Sequence, residues 1–181
     1  MPLMDTTRGR IELFSRVAKI VIVVPLIGLP VFLSGVWLIF DRIPPSFIVQ
    51  WYNVSDYTIG PVTKPVGFTA SILQSVVAVM LFLNVFRLFS YYEQGIILTA
   101  SDVRCFKEIG RWLLVLAVNN LIINRLYTLI LVMYNTPEQQ LIPLGLTSNE
   151  VLLFFICFFV MVIGLVLDEA RSASDELTLV I

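Results

Sequence analysis

The stretch Trp112–Tyr134 reads WLLVLAVNNLIINRLYTLILVMY, and Arg125 is its one charged residue. It is long enough to be a membrane-crossing helix, which needs about 20 mainly apolar residues. Three further apolar runs lie around it, at Val17–Phe40, Thr69–Ser90 and Val151–Leu167. Because a backbone inside lipid must satisfy its own hydrogen bonds, each run is predicted to be a helix. The sequence therefore predicts an all-α membrane protein with four transmembrane helices in an antiparallel bundle.

The organisation expected from these runs is a single four-helix transmembrane domain over residues 1–181. The helices are expected at about 12–40, 69–91, 100–134 and 149–171, followed by an acidic tail at 172–181. The composition agrees, because 58% of the residues are hydrophobic and only 14% are charged, whereas soluble domains average about 25% charged residues.

The positive charges are distributed unevenly between the two sides of the predicted bundle. Most of the 12 Lys and Arg residues fall on the side that carries both termini: Arg8, Arg10, Arg16, Lys19, Arg87, Arg104, Lys107, Arg111 and Arg171. The opposite side has only Arg42 and Lys64. The positive-inside rule then places both termini in the cytoplasm, and we expect a multi-pass protein of the bacterial cytoplasmic (inner) membrane.

The residue types argue against an enzyme. There is no histidine, and histidine is the commonest general base and metal ligand. Cys105 and Cys157 are far apart and form no C-x-x-C pair, so neither structural zinc nor thioredoxin-like chemistry is supported. We expect no catalytic residue, no metal and no cofactor.

Polar residues inside the predicted crossings mark a candidate intramembrane site. Its members are Arg125, Asn120, Asn124, Thr128, Glu150 and Gln74. Arg125 is expected about 3 Å from the bilayer centre, where a charge costs at least about 2.5–3.5 kcal/mol unless it is paired or hydrated. Glu150, near the outer end of the last helix, is the predicted partner, either directly or through water.

The first crossing and the connection after it carry two further features. Pro25, Gly28 and Gly35 fall near one face, which predicts either close packing of another helix or a movable kink. The connection Asp41–Phe68 contains an amphipathic stretch, Phe47–Tyr52. Its aromatic residues suit the membrane–water interface, so we expect it to lie on the membrane, with a ligand cap as the alternative.

A juxtamembrane amphipathic extension is predicted before the third crossing, opened by a capping box at Thr99–Asp102. Its polar face is basic, so it either anchors to anionic headgroups or binds a cytoplasmic partner. The candidate partner surface is Arg104, Lys107, Arg111, Asp175, Glu176 and Leu177. The alternating Leu177-Thr178-Leu179 could add a strand to a partner's sheet, and a disordered tail is the alternative.

Two motifs carry a resemblance to a known family. Tyr91–Thr99 reads YYEQGIILT and is followed by Asp102-Val103, and the chain ends with DELTLV at Asp175–Val180. These motifs resemble the YoaS-like bacterial four-helix membrane proteins, a family of unknown function. The resemblance implies an inner-membrane protein without an established reaction and with no catalytic residues to carry across. It also implies a partner, because such proteins are encoded beside a small Cro-like helix-turn-helix regulator.

Two functional hypotheses follow. The first is a non-enzymatic regulator or sensor that partners a small helix-turn-helix transcription factor and does not itself contact nucleic acid. The alternative is a small transporter or channel subunit for an anionic or amphipathic solute that uses the intramembrane Arg125. Membrane lipids are expected partners in both cases, and a homo-oligomer stays open.

Overall fold

The computed structural model describes residues 2–52, 57–94, 100–134 and 145–179. Within these ranges every regular element is a helix: α1 (Pro2–Leu38), a 3₁₀ turn (Phe40–Arg42), α2 (Pro45–Tyr52), α3 (Thr63–Glu93), α4 (Ala100–Val132) and α5 (Ser148–Leu179). Four of these helices contain segments long and apolar enough to cross a membrane, at Leu13–Leu38, Thr63–Glu93, Ser101–Val132 and Ser148–Ala173. The predicted all-α fold with four transmembrane helices is confirmed.

The helices extend beyond the expected bounds at several ends. α3 begins at Thr63, before the expected start near residue 69, although Pro65 and Gly67 are usual loop residues. Pro65 lies in the first turn of α3, where a missing N–H breaks no intrahelical bond. α5 continues to Leu179, past the expected end near residue 171. After Gly164 it meets neither glycine nor proline, so no helix breaker ends it.

The four crossings pack as a row. α1 packs against α3, α3 against α4, and α4 against α5. In the most apolar segment of each crossing, 11% of α1 and 17% of α5 is buried, whereas 39% is buried in both α3 and α4. In the described residues, α1 and α5 share no extensive interface. The bundle is therefore open on one side, with α3 and α4 at its centre and α1 and α5 as flanking helices.

Trp37 joins α1 to α3 at the end of the bundle near α2, which we call the α2 end. Its indole stacks almost parallel on the ring of Phe40, with ring centroids 4.9 Å apart. The backbone of Gly67 also lies close to the indole, because a Cβ at Gly67 would come within 2.5 Å of it. Gly67 is thus the small residue that lets these helices approach.

The expected contact at the glycines of α1 is absent from the described residues. A Cβ added at Gly28 or Gly35 would meet nothing within 4 Å, so the prediction that another helix packs closely against this face is wrong within the described chain. The apolar residues around them face outward. α1 is assigned as one continuous helix through Pro25 and Pro30.

The helix α2 packs into the protein as well as lying at its end. Ile48 is buried in the cluster that contains Trp37 and Leu131. Tyr52 makes an edge-to-face contact with Tyr127, at 5.5 Å between centroids. Burial, with a smaller contribution from Tyr127, raises the pKa of Tyr52, so its hydroxyl stays protonated. The amphipathic stretch predicted here therefore turns its apolar face toward α1 and α4.

The opposite end of the bundle carries both termini, and we call it the terminal end. A second apolar cluster fills it between α3 and α4, built from Leu81, Leu88, Cys105 and Ile109. Ion pairs connect each flanking helix to its neighbour: Glu93 pairs with Lys19 and Arg16, and Lys107 with Asp168 at 2.6 Å. These contacts fix each flanking helix to its neighbour at the terminal end.

Candidate functional site

A cleft of about 670 Å³ opens at the α2 end, between α1 and the start of α5. Its polar wall comes from α3, α4 and the beginning of α5, and its apolar wall from α1. The residues that line it include Phe32, Leu33, Val36, Ser71, Gln74, Asn120, Asn124, Arg125, Tyr127, Thr128, Thr147 and Glu150. The volume lies within the usual range for small-molecule sites. All six predicted intramembrane site residues line this one cleft.

The predicted pair of Arg125 and Glu150 is present in the structure. Arg125 Nη2 donates to Glu150 Oε2 at 3.2 Å and also to the carbonyl oxygen of Gly145. The Glu150 side chain is 1% exposed and that of Arg125 is 23% exposed. The carboxylate therefore depends on its partners, because a buried charge without compensation costs several kcal/mol.

Glu150 also completes a capping box at the start of α5. The N–H of Thr147 donates to Glu150 Oε2 at 2.8 Å, and the N–H of Glu150 donates to Thr147 Oγ1 at 3.3 Å. Sequence reasoning missed this second role of Glu150. The signal was available, since Thr147-Ser148-Asn149-Glu150 has the S/T-x-x-E form of a capping box.

Arg125 lies toward the α2 end of α4. α4 runs from Ala100 to Val132, so at about 1.5 Å per residue Arg125 is about 10 Å from the end of the helix and about 13 Å from its midpoint. The expected depth of about 3 Å from the bilayer centre stays a prediction. Arg125 also bonds to Gly145, in the connection before α5.

The amide side chains connect α3 and α4 across the polar wall. Gln74 Nε2 donates to Asn120 Oδ1 at 3.3 Å, and the hydroxyl of Tyr127 donates to Gln74 Oε1 at 3.4 Å. The same hydroxyl lies 2.8 Å from Ser71 Oγ. Tyr127 is thus the centre of this network, although it was not among the predicted site residues.

The remaining predicted site residues complete the polar wall. Asn124 Nδ2 donates to Glu150 Oε1 at 3.5 Å. Thr128 is buried, and its hydroxyl donates to the backbone carbonyl of Asn124 at 3.0 Å. The hydroxyl of Thr128 is therefore hydrogen-bonded within α4. Among the described residues, no group of three or more His, Cys, Asp and Glu could hold a metal ion.

Only the basic part of the predicted cytoplasmic partner surface, Arg104, Lys107 and Arg111, has side chains that the structure describes. Lys107 pairs with Asp168, and Arg111 pairs with Glu108 at 2.6 Å, so much of the basic charge is compensated within the chain. The side chains of Asp175, Glu176 and Leu177 lie outside those the structure describes. Their backbone is helical, so the expected extended tail is replaced by the end of α5. Thr99, which opens the capping box predicted at Thr99–Asp102, also lies outside the described residues.

The fold and the cleft together define the class: an all-helical, multi-pass membrane protein with a polar cleft at one end of an open four-helix row. The chain belongs to the family described as proteins of unknown function (DUF2975), which matches residues 12–181. No curated protein and no solved structure matches it. An unknown-function family is what the motif resemblance implied, and the narrower YoaS-like resemblance stays a prediction.

Proposed function

We propose that this protein is a non-enzymatic sensor or regulator of the bacterial cytoplasmic membrane that binds a small amphipathic molecule in the cleft. The observation that carries the proposal is the cleft itself. A polar wall on α3 and α4 faces an apolar wall on α1, between two helices that do not pack together. A molecule with one polar and one apolar part fits such a site.

A non-enzymatic role is supported by the chemistry of the cleft. Among the described lining residues Glu150 is the one carboxylate, and it is already engaged in a capping box and an ion pair. A general acid or base must be free to exchange a proton with its substrate. The chain has no histidine to take that role.

A sensor is favoured over a transporter or channel subunit because the polar lining ends partway along the bundle. At the terminal end, Leu81 and Leu88 of α3 pack against Cys105 and Ile109 of α4. A conduit needs polar or hydrated groups along its length. The cleft is thus better suited to receive a ligand than to pass one through.

Ligand binding is tested by narrowing the cleft from its apolar wall. Leu33→Trp adds an indole on the cleft side of α1, whereas Leu38→Trp places it on a side chain that is 75% exposed. Each variant is purified in mild detergent, and the small molecules that come with it are identified by mass spectrometry. We expect an amphiphile with the unchanged protein and with Leu38→Trp, and its loss with Leu33→Trp. A set of molecules that is identical for all three proteins would refute the proposal.

We place both termini in the cytoplasm, which puts the cleft in the outer half of the membrane. The support is the excess of Lys and Arg at the terminal end. Fluorescent-protein and alkaline-phosphatase fusions at each terminus test this: both ends should give fluorescence and neither should give phosphatase activity. Phosphatase activity at either end would overturn the orientation.

The proposed cytoplasmic partner is a small helix-turn-helix protein. Because the backbone of residues 175–179 is helical, we propose that the end of α5 meets the partner as a helix instead of adding a strand. Co-purification of the two proteins should be lost when residues 175–181 are deleted and kept when Arg42, an exposed residue at the opposite end of the bundle, is replaced by Gln. A complex that survives the deletion would remove the tail from the proposal.

A further inference from the structure

We propose that the cleft selects an uncharged lipid with a hydroxyl-bearing headgroup, such as a diacylglycerol, over an anionic one. This inference rests on the proposed function and names the ligand class of the same site. Among the described residues that line the cleft, Arg125 is the one cation and Glu150 the one carboxylate. They pair with each other, so this part of the lining carries no net charge.

The ion pair leaves little for an anion to bind. Arg125 is fixed by Glu150 and by the carbonyl of Gly145. A phosphate that approached Arg125 would also lie near the buried carboxylate of Glu150, whose Oε2 is 3.2 Å from Nη2 of Arg125, and like charges that are close together repel strongly in a low-dielectric site. Binding an anion would require breaking the pair and leaving Glu150 buried without its cation, which is unfavourable.

The groups that remain available are neutral. Asn120 uses its Oδ1 to accept from Gln74, and Asn124 uses its Nδ2 to donate to Glu150. No described residue bonds to Asn120 Nδ2 or to Asn124 Oδ1. The two side chains are one helical turn apart, so they share a face of α4. They therefore offer one donor and one acceptor to the cleft, the complement of a hydroxyl group.

The shape of the protein gives a place for the acyl chains. Phe32, Leu33 and Val36 line the apolar wall, and α1 and α5 share no extensive interface within the described residues. A lipid can therefore place its headgroup against Asn120 and Asn124 while its chains extend between the flanking helices into the bilayer. Its chains need not leave the membrane for the headgroup to bind.

The test compares two lipids with identical chains, dioctanoylglycerol and dioctanoyl phosphatidic acid. Each is titrated into the full-length protein in detergent, and bound lipid is counted by native mass spectrometry. We expect dioctanoylglycerol to bind at least tenfold more tightly than the phosphatidic acid. Asn120→Ala or Asn124→Ala should weaken dioctanoylglycerol about tenfold. The matched control Asn119→Ala, which removes the neighbouring amide that does not line the cleft, should leave its binding unchanged.

A second variant tests the charge argument directly. Glu150→Gln keeps the shape and the capping oxygen but frees the charge of Arg125, so it should improve binding of phosphatidic acid at least tenfold. Tighter binding of phosphatidic acid than of dioctanoylglycerol to the unchanged protein would overturn the ligand class while leaving ligand binding in place. Equal binding to the Asn119 and Asn120 variants would overturn the assignment of the amides. If neither lipid binds but the Leu33→Trp comparison still shows a retained amphiphile, this inference fails and the proposed function stands.

Discussion

Arg125 and Glu150 should stabilise the fold as a coupled pair. Arg125→Ala leaves the carboxylate of Glu150, 1% exposed, without its cation. Removing one partner of a buried pair costs about 3–5 kcal/mol. We expect about 3 kcal/mol, because the N–H of Thr147 and the amide of Asn124 still donate to the carboxylate.

The replacement Glu150→Gln should cost less, about 1–2 kcal/mol. Its side-chain oxygen can still accept from the N–H of Thr147, and Arg125 is 23% exposed and keeps its bond to Gly145. The double variant should then be more stable than Arg125→Ala alone, because no buried charge is left over. The two single variants and the double variant form a double-mutant cycle, and its coupling energy is expected to be about 1–3 kcal/mol.

The assay is equilibrium unfolding of the purified protein in mixed micelles, with SDS as denaturant and far-UV circular dichroism as the signal. The matched control is Asn149→Gln, which changes the exposed neighbour of Glu150 and should stay within about 0.5 kcal/mol of the unchanged protein. If Glu150→Gln is silent while Arg125→Ala is severe, or if the two effects simply add, the pairing argument is refuted.

Three further changes test individual contacts by the same unfolding assay. Gly67→Ala should destabilise the fold by about 1–3 kcal/mol, because the new Cβ would come within 2.5 Å of the Trp37 indole. The control Gly28→Ala should be tolerated, because a Cβ there meets nothing within 4 Å. Equal effects of the two substitutions would contradict the packing of Trp37 against Gly67. Thr147→Ala should cost about 1 kcal/mol by removing the cap of α5, and no loss would show that the box is unimportant. Tyr127→Phe should cost about 1 kcal/mol, because its hydroxyl joins two polar side chains of α3; an unchanged midpoint would argue against the network.

The four crossings could be predicted from the sequence because length and apolarity alone decide whether a helix can span lipid. The Arg125–Glu150 pair could be predicted for a related reason: a charge in a crossing needs a partner, and few carboxylates lay near. Gln74 and Asn120 were also predicted to belong to this intramembrane site. They meet through a hydrogen bond of 3.3 Å between α3 and α4.

What the sequence did not reveal depends on which helices are neighbours. The glycines of α1 suggested close packing, yet the small residue that matters is Gly67, because the indole of Trp37 lies against it. The cleft follows from the absence of extensive packing between α1 and α5, and periodicity cannot show which helices are apart.

The open row of helices has a consequence for how the protein responds to its surroundings. Within the described chain, α1 and α5 each pack extensively against one neighbouring crossing, so the space that separates them is accessible to the acyl chains of surrounding lipid. Lateral pressure in the bilayer therefore acts directly on the width of that space. Membranes that differ in chain length or curvature stress will hold the same polypeptide at different separations, which makes the lipid composition itself a variable of its conformational equilibrium.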